Sequence, residues 1–336
     1  MKTKLFLVAF SIVAILFWSC EKENENPVDN GENEQADSTD WGEWVKVGTS
    51  NIEWFESPIV LFDGKLWQIA GERWDESGDT YLFSNKVYNS TDGLTWNIVS
   101  ENPEFLPRAL NRSVVFNQKL ITAGGVRDGG GEGNDVWSSS DGVSWTMESS
   151  DQFDERERFG LVEFNDNLWV FGGDYYDFNV QNAFFTDDIF KSFDGKNWTE
   201  VIVASANHPL ARIDFFTFVF DNKLWVISGN SNLENQSVKS DVWNTSDGIT
   251  WNLVDENGPI GDIGDLISMD ALVFDNKIWI LHNGKAYYSI NGSDWVKMKA
   301  ETNAWDRLID VVVFNNSIYV FAESGDVWQL KQKTED

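Results

Sequence analysis

The chain is poor in the residues that most often carry chemistry. One cysteine, Cys20, stands among 336 residues. A disulfide framework is therefore excluded, as is any site that needs two thiolates. Two histidines, His208 and His282, exclude a three-histidine metal site. Basic residues are scarce: 25 Lys and Arg face 55 Asp and Glu, for a net charge of −30. So acidic a surface repels nucleic acid and anionic headgroups, and no nucleic-acid partner is expected. A long, almost wholly apolar run occurs at residues 5–18 and is short for a membrane-spanning helix. Aromatic residues are abundant instead, with 18 Trp and 24 Phe, ample for a large folded core.

The N-terminus reads as an export signal. Lys2 and Lys4 precede the apolar run, which ends at Ser19-Cys20. A small residue directly before Cys at the end of such a run resembles the lipobox of bacterial lipoproteins. Phe17 stands where that family usually has Leu. The resemblance implies a signal peptide over 1–19, cleavage before Cys20 and acylation of that cysteine. It also implies an outer-membrane location, on the cell surface or the periplasmic side, with the bilayer contacted through the Cys20 anchor. Residues 20–40 hold eight acids and one Lys and read as a flexible tether. Its root-mean-square span is about 25 Å. An acidic run directly after the lipidated Cys resembles surface-export signals of Bacteroidota lipoproteins.

Beyond residue 40 one unit repeats six times. Its anchor is a Phe followed by a short polar turn, at Phe62, Phe116, Phe164, Phe220, Phe274 and Phe314. FDGKLWQIAG and FNDNLWVFGG are examples, and the mean spacing is about 50 residues. A second motif follows every unit except the last: YNSTDGLTW, WSSSDGVSW, FKSFDGKNW, WNTSDGITW and YYSINGSDW. Each unit reads as four short strands, a to d, with tight polar turns between a and b and Asp-Gly turns between c and d. A four-stranded antiparallel unit at this period is a propeller blade. The sixth unit lacks strand d, while STDWGEWVKV (38–47) matches STDGLTWNIV (90–99). The expected fold is therefore an all-β, six-bladed β-propeller over 41–336, its ring closed by residues 43–48 joining the C-terminal blade. The Gly124-Gly125 and Gly172-Gly173 pairs, the following VW, VY and IF pairs and the strand-d Trp resemble Kelch propellers, including the central domain of galactose oxidase. The SxDGxxW turns resemble the Asp-box of sialidases without the residue that motif has between Asp and Gly.

Loop length separates two faces. The a–b and c–d turns are short in every blade. The b–c segments are long at 72–84, 126–134, 174–187 and 230–240 and shrink in blades five and six. A concave site is expected at the long-loop face, over the gap at those two blades. All eight arginines fall on it: Arg73 and Arg127 on b–c loops, Arg108, Arg112, Arg156, Arg158, Arg212 and Arg307 on d–a loops. A guanidinium fork suits carboxylate, sulfate or phosphate. Trp74, Tyr81, Tyr175, Tyr176, Phe178, Phe184 and Phe185 share these loops and could stack on sugars or fill small local cores. Arg73, Arg108, Arg112, Arg158, Arg212 and Arg307 with Trp74, Tyr175 and Tyr176 are the candidate ligand-binding set. His208 beside Arg212 is a weak catalytic candidate. Asp128, Glu132 and Asp135 offer hard oxygen ligands for calcium but fit no EF-hand spacing.

The expected function is a membrane-anchored, non-catalytic binding propeller that recognises an acidic glycan or protein partner. A monomer is expected, and no cofactor is implied. Copper radical oxidation is excluded, because the mature chain has no cysteine beyond the anchor to cross-link a Tyr. The alternative is a sialidase-like glycoside hydrolase using Arg108, Arg158 and Arg212 with Tyr175 and Glu72.

Overall fold

Each Phe-anchored repeat becomes one antiparallel sheet. In the computed structural model the described residues are 42–177, 179–204, 207–231, 238–258, 269–299, 305 and 308–332. Blade one has strands a (Ile59–Phe62), b (Lys65–Asp75), c (Thr80–Ser90) and d (Asn97–Ser100). In blade two they are Arg112–Phe116, Lys119–Ala123, Val136–Ser139 and Thr146–Ser149. In blade three they are Gly160–Phe164, Asn167–Phe171, Ile189–Ser192 and Thr199–Glu200. Blade four has Phe216–Phe220, Lys223–Asn230, Val238–Thr245 and Asn252–Asp255. Blade five has Met269–Phe274, Lys277–His282, Lys285–Ser289 and Trp295–Lys297. Blade six has Leu308–Phe314, Ser317–Ala322 and Asp326–Gln332, and its outermost strand is Gly42–Thr49. That strand runs antiparallel to strand c, with Gly42 opposite Gln332 and Thr49 opposite Asp326. The a strands touch in succession, and that of blade one meets that of blade six. The protein is a six-bladed, all-β propeller.

The turn face is built by one device used five times. In blade one the Ser90 hydroxyl accepts from the Gly93 amide (2.8 Å), and Asp92 Oδ1 accepts from the amides of Leu94 and Thr95 (both 2.8 Å). Ser139-Asp141, Ser192-Asp194, Thr245-Asp247 and Ser289-Asn291 repeat it. Short polar side chains thus satisfy the amides that the turn leaves unpaired.

The same turns lock neighbouring blades. A Cβ on Gly142 of blade two would lie 2.1 Å from the Trp67 ring of blade one. Gly248 against Trp169 and Gly292 against Trp225 would each approach 2.4 Å. These strand-b indoles are buried, and each donates Nε1–H to the carbonyl of its own anchor Phe. Blade two breaks the rule, with Ile121 in place of Trp. Correspondingly, a Cβ on Gly195 of blade three would meet nothing closer than Leu168 at 3.7 Å. A cleft of about 250 Å³ lined by Ile121, Lys119, Glu148, Asp194 and Lys196 lies there.

Two loop expectations are corrected. Residues 72–84 are mostly strand: b and c of blade one continue as a tall hairpin in which Trp74 faces Tyr81. Residues 174–187 contain a separate hairpin, Asp174–Asp177 with Asn182–Phe185. Both stretches carry aromatic residues on either side of a short tip, a hairpin pattern that length alone does not reveal. Arg108–Ala109 and Val126–Arg127 also extend blade one's sheet, so Arg73 and Arg127 lie on strands.

Candidate functional site

The arginines of the loop face divide into two groups. Arg108, Arg156 and Arg212 each lie eight residues before an anchor Phe. Each forks onto the Asp directly before the VW or IF pair of strand c in its own blade. Arg108 holds Asp135 at 2.8 and 2.7 Å, Arg156 holds Asp188 at 2.7 and 3.0 Å, and Arg212 holds Asp241 at 2.7 and 3.3 Å. Nη1 of each also donates to the carbonyl of Gly124, Gly172 or Ser228. Burial would raise the Asp135 carboxyl, but Arg108 and the Trp137 indole hold it below its usual range. Arg108 and Arg156 are 0% exposed and Arg212 is 5%. These pairs tie the d–a segment to the sheet and present no donor to a ligand. The candidate set therefore loses Arg108 and Arg212, and the sialidase-like constellation loses two of its three cations.

The second group, Arg112 and Arg158, lines the mouth of the central channel with a set of carboxyls. Arg112 opens strand a of blade two, and Asp270 and Asp310 sit on strands a of blades five and six. Arg158 and Asp214 lie six residues before the anchor Phe of blades three and four, with left-handed φ of 51° and 52°. Glu56 and Leu110 take the same conformation at the matching places of blades one and two, at 53° and 56°. A non-glycine residue there carries roughly 1 kcal/mol of strain, so one backbone device sets out this ring of positions.

Burial dominates the electrostatics of the mouth. Arg158 bridges Asp174 (2.6 Å) and Glu157 (2.8 Å). Burial raises Glu157 to about 8; Arg158 opposes the shift, while Asp174 and Glu132 add to it. Burial likewise raises Asp174 to about 6. It also raises Asp214, against the pull of Arg158 and Arg112. Glu72 reaches about 7 through burial and the nearby Glu56. Asp270 and Asp310 hydrogen-bond to each other, which requires a shared proton. Both keep partial access to the channel yet are raised, first by burial, and Asp310 also by the neighbouring Asp270.

Arg112 is different. Its Nε donates to the Phe159 carbonyl at 2.8 Å. Its terminal nitrogens make no hydrogen bond or close ion pair among the described residues, and its side chain is only partly buried. Arg73 is half exposed, 3.6 Å from Glu53 and stacked over Trp54. Trp74 and Tyr81 stand edge to face at 4.8 Å on the blade-one hairpin, both about half exposed. Tyr175 stacks on Phe184 at 5.7 Å in the blade-three hairpin, and Tyr176 is exposed beside it. Tyr175 borders a cleft of about 250 Å³ with Asp154 and Glu155. Glu132 of blade two accepts from the Tyr176 amide at 3.2 Å, joining blades two and three along one crest. Arg307 and Phe178 lie outside the described residues, as do Cys20 and the whole of 1–41.

Among the described residues no group of three His, Cys, Asp or Glu side chains could hold a metal ion. Asp135 is engaged by Arg108 and Glu132 by Tyr176, so the calcium trio is not assembled. His208 keeps Nδ1 buried without a partner, and His282 contacts Asn283 at the end of strand b. Sequence reasoning missed three things: the identity of Arg108, Arg156 and Arg212 as internal struts, the Asp270–Asp310 pair, and the missing blade-two indole. The strut was readable from the fixed Arg-to-Phe spacing and the Asp before each VW or IF pair. No family model matches the chain, and no curated protein matches it.

Proposed function

We propose that this propeller is a non-catalytic binding protein, held at the outer membrane through an acylated Cys20, that takes its ligand at the loop-bearing channel mouth. Its repeat is of Kelch type. The ligand presents a carboxylate or sulfate on a glycan or on a protein partner. The observation that carries this reading is Arg112, a channel guanidinium with only Nε engaged. A planar anion can take both terminal nitrogens at once. The raised carboxyls around it favour hydroxyl groups, because a protonated carboxyl donates as well as accepts. The Trp74–Tyr81 and Tyr175–Phe184 hairpins supply aromatic surface for sugar rings beside the charged centre.

The test is a binding panel of sialyllactose, a hyaluronan tetrasaccharide and a sulfated heparin disaccharide against the wild-type chain and Arg112→Ala. We expect one acidic probe to bind and to lose 10-fold or more in affinity in the variant, the scale of one charge-assisted contact. Equal affinity of both proteins for every bound probe would refute the assignment of Arg112. Hydrolysis of a probe would replace the binding reading with the hydrolase one.

A further inference from the structure

The turn face carries side chains that its turns do not need. Ser or Thr, Asp or Asn, and Gly fix each c–d turn, and the positions between them are free of structural duty. Yet four consecutive blades carry one exposed apolar residue at this turn: Phe193 and Ile290 between the hydroxyl and acid or amide positions, Val143 and Ile249 directly after the Gly. Phe193 and Ile290 are each 67% exposed. Thr91, Ser140 and Ser246 occupy the place of Phe193 and Ile290 in blades one, two and four, and Lys196 and Ser293 that of Val143 and Ile249 in blades three and five, so the turn itself accepts polar residues. Beside Phe193 lies the cleft left by the missing indole, rimmed by Lys119 and Lys196, both of which reach Glu148 at 3.2 Å. An apolar tip flanked by long cationic side chains is the pattern of a membrane-interface contact, in which Lys stems lie along apolar surface and keep their charge in water.

The chain also enters the fold on this face. Strand c of blade six runs from Asp326 at the loop end to Gln332 at the turn end, and Gly42 pairs with Gln332. Residues 20–41, between the candidate lipid-bearing Cys and strand d, could span at most about 75 Å at full extension. The net charge of −30 argues against electrostatic recruitment, so attachment has to come from the anchor and orientation from the apolar tips.

We infer that the turn face lies against the lipid bilayer, with Phe193, Ile290, Val143 and Ile249 as its contact points, and that the loop face points away into solution. This rests on acylation of Cys20. It presents the channel mouth to large ligands outside the membrane and places the tall blade-one hairpin about 33 Å farther from the lipid, its strand b running from Lys65 to Asp75.

The experiment uses the full lipidated chain in phosphatidylethanolamine–phosphatidylcholine vesicles. Single variants Phe193→Cys and Ile290→Cys on the turn face, and Asp79→Cys and Gln181→Cys at the hairpin tips, carry a thiol-reactive environment-sensitive fluorophore. Lipids with a headgroup quencher should quench the labels at 193 and 290 at least threefold more than those at 79 and 181. Phe193→Ser in the Ile290→Cys background should reduce that quenching. Equal quenching at all four sites, or stronger quenching at the hairpin tips, would overturn the orientation while leaving the anchor intact. Shielding of 193 and 290 without lipid quenching would show a protein cover instead and also overturn it. A parent chain that takes up fluorophore at Cys20 and stays off the vesicles would overturn the anchor and this inference together.

Discussion

Asp194 on the turn face and Asp174 at the channel mouth are the same side chain held at opposite ends of the carboxylate range, about 2 and about 6. At Asp194 burial raises the carboxyl, but the amides of Asn197 and Lys196 and the side chains of Asn197 and Ser192 together outweigh it. At Asp174 burial outweighs its bond to Arg158. The difference teaches where each face gets its order. The turn face is locally self-sufficient, each carboxylate serving amides two and three residues away. The mouth is assembled from all six blades, and its groups crowd into shared burial with too few cations to match them. Structures optimised for stability alone avoid that arrangement, which directs attention to the mouth as the working surface.

The sharpest break in the comparison is expected within the loop face itself, between its two groups of arginine. Arg156→Ala leaves Asp188 beside a buried, unpaired site and should destabilise by about 3–5 kcal/mol in calorimetric unfolding. Arg112→Ala should cost less than about 1 kcal/mol, because that guanidinium makes one backbone hydrogen bond. Similar losses in both variants would erase the distinction between strut and docking group.

A smaller effect is expected on the turn face. Gly142→Ala combines a φ of 73° with a Cβ forced onto the Trp67 ring, and should cost about 3 kcal/mol. Gly195→Ala has the same backbone strain, at φ 75°, but open space where the blade-two indole is missing, and should cost about 1 kcal/mol. Denaturant midpoints of the two variants measure the difference. Equal losses would mean that the indole contact contributes nothing to the seam between blades.

The gentlest test is pH. Glu157, Glu72 and Asp174 bind protons more tightly folded, near 8, 7 and 6, than the value of about 4 they share with the unfolded chain. The folded state therefore holds extra protons through this window, and stability should fall as pH rises from about 5 to 8. Glu157→Gln should flatten the slope above pH 7. Asp194 has the opposite sign: its contribution is present at neutral pH and is lost as pH falls from about 4 towards 2, and being exposed it should be small. A stability profile flat from 5 to 8 would contradict the buried-acid description of the mouth.

The sequence reading went furthest where information is local. The Phe-led polar turn, and the Ser-x-Asp-Gly turn with its strand-d Trp, are each contained within ten residues, and from their recurrence the blade and its repeat number were readable. The mouth was harder to read. That arginines gather on one face was legible, but whether each meets a ligand or an acid depends on partners 16 to 32 positions away, as with Arg158 and Asp174 or Arg156 and Asp188. The Asp270–Asp310 contact joins equivalent positions of neighbouring repeats, and no feature of a single repeat announces it. Loop length suggested irregular crests, but 72–84 and 174–187 pair as hairpins, with aromatic residues on both arms.

The division of labour between the faces is tested most directly by hydrogen exchange with mass spectrometry, on the chain with and without saturating amounts of the acidic oligosaccharide that binds best. Protection should fall on peptides covering 108–112, 156–160 and 174–177 and leave the turn peptides at 90–96, 139–145 and 245–251 unchanged. Protection centred on those turns, or no protection anywhere despite binding, would contradict the assignment of the channel mouth.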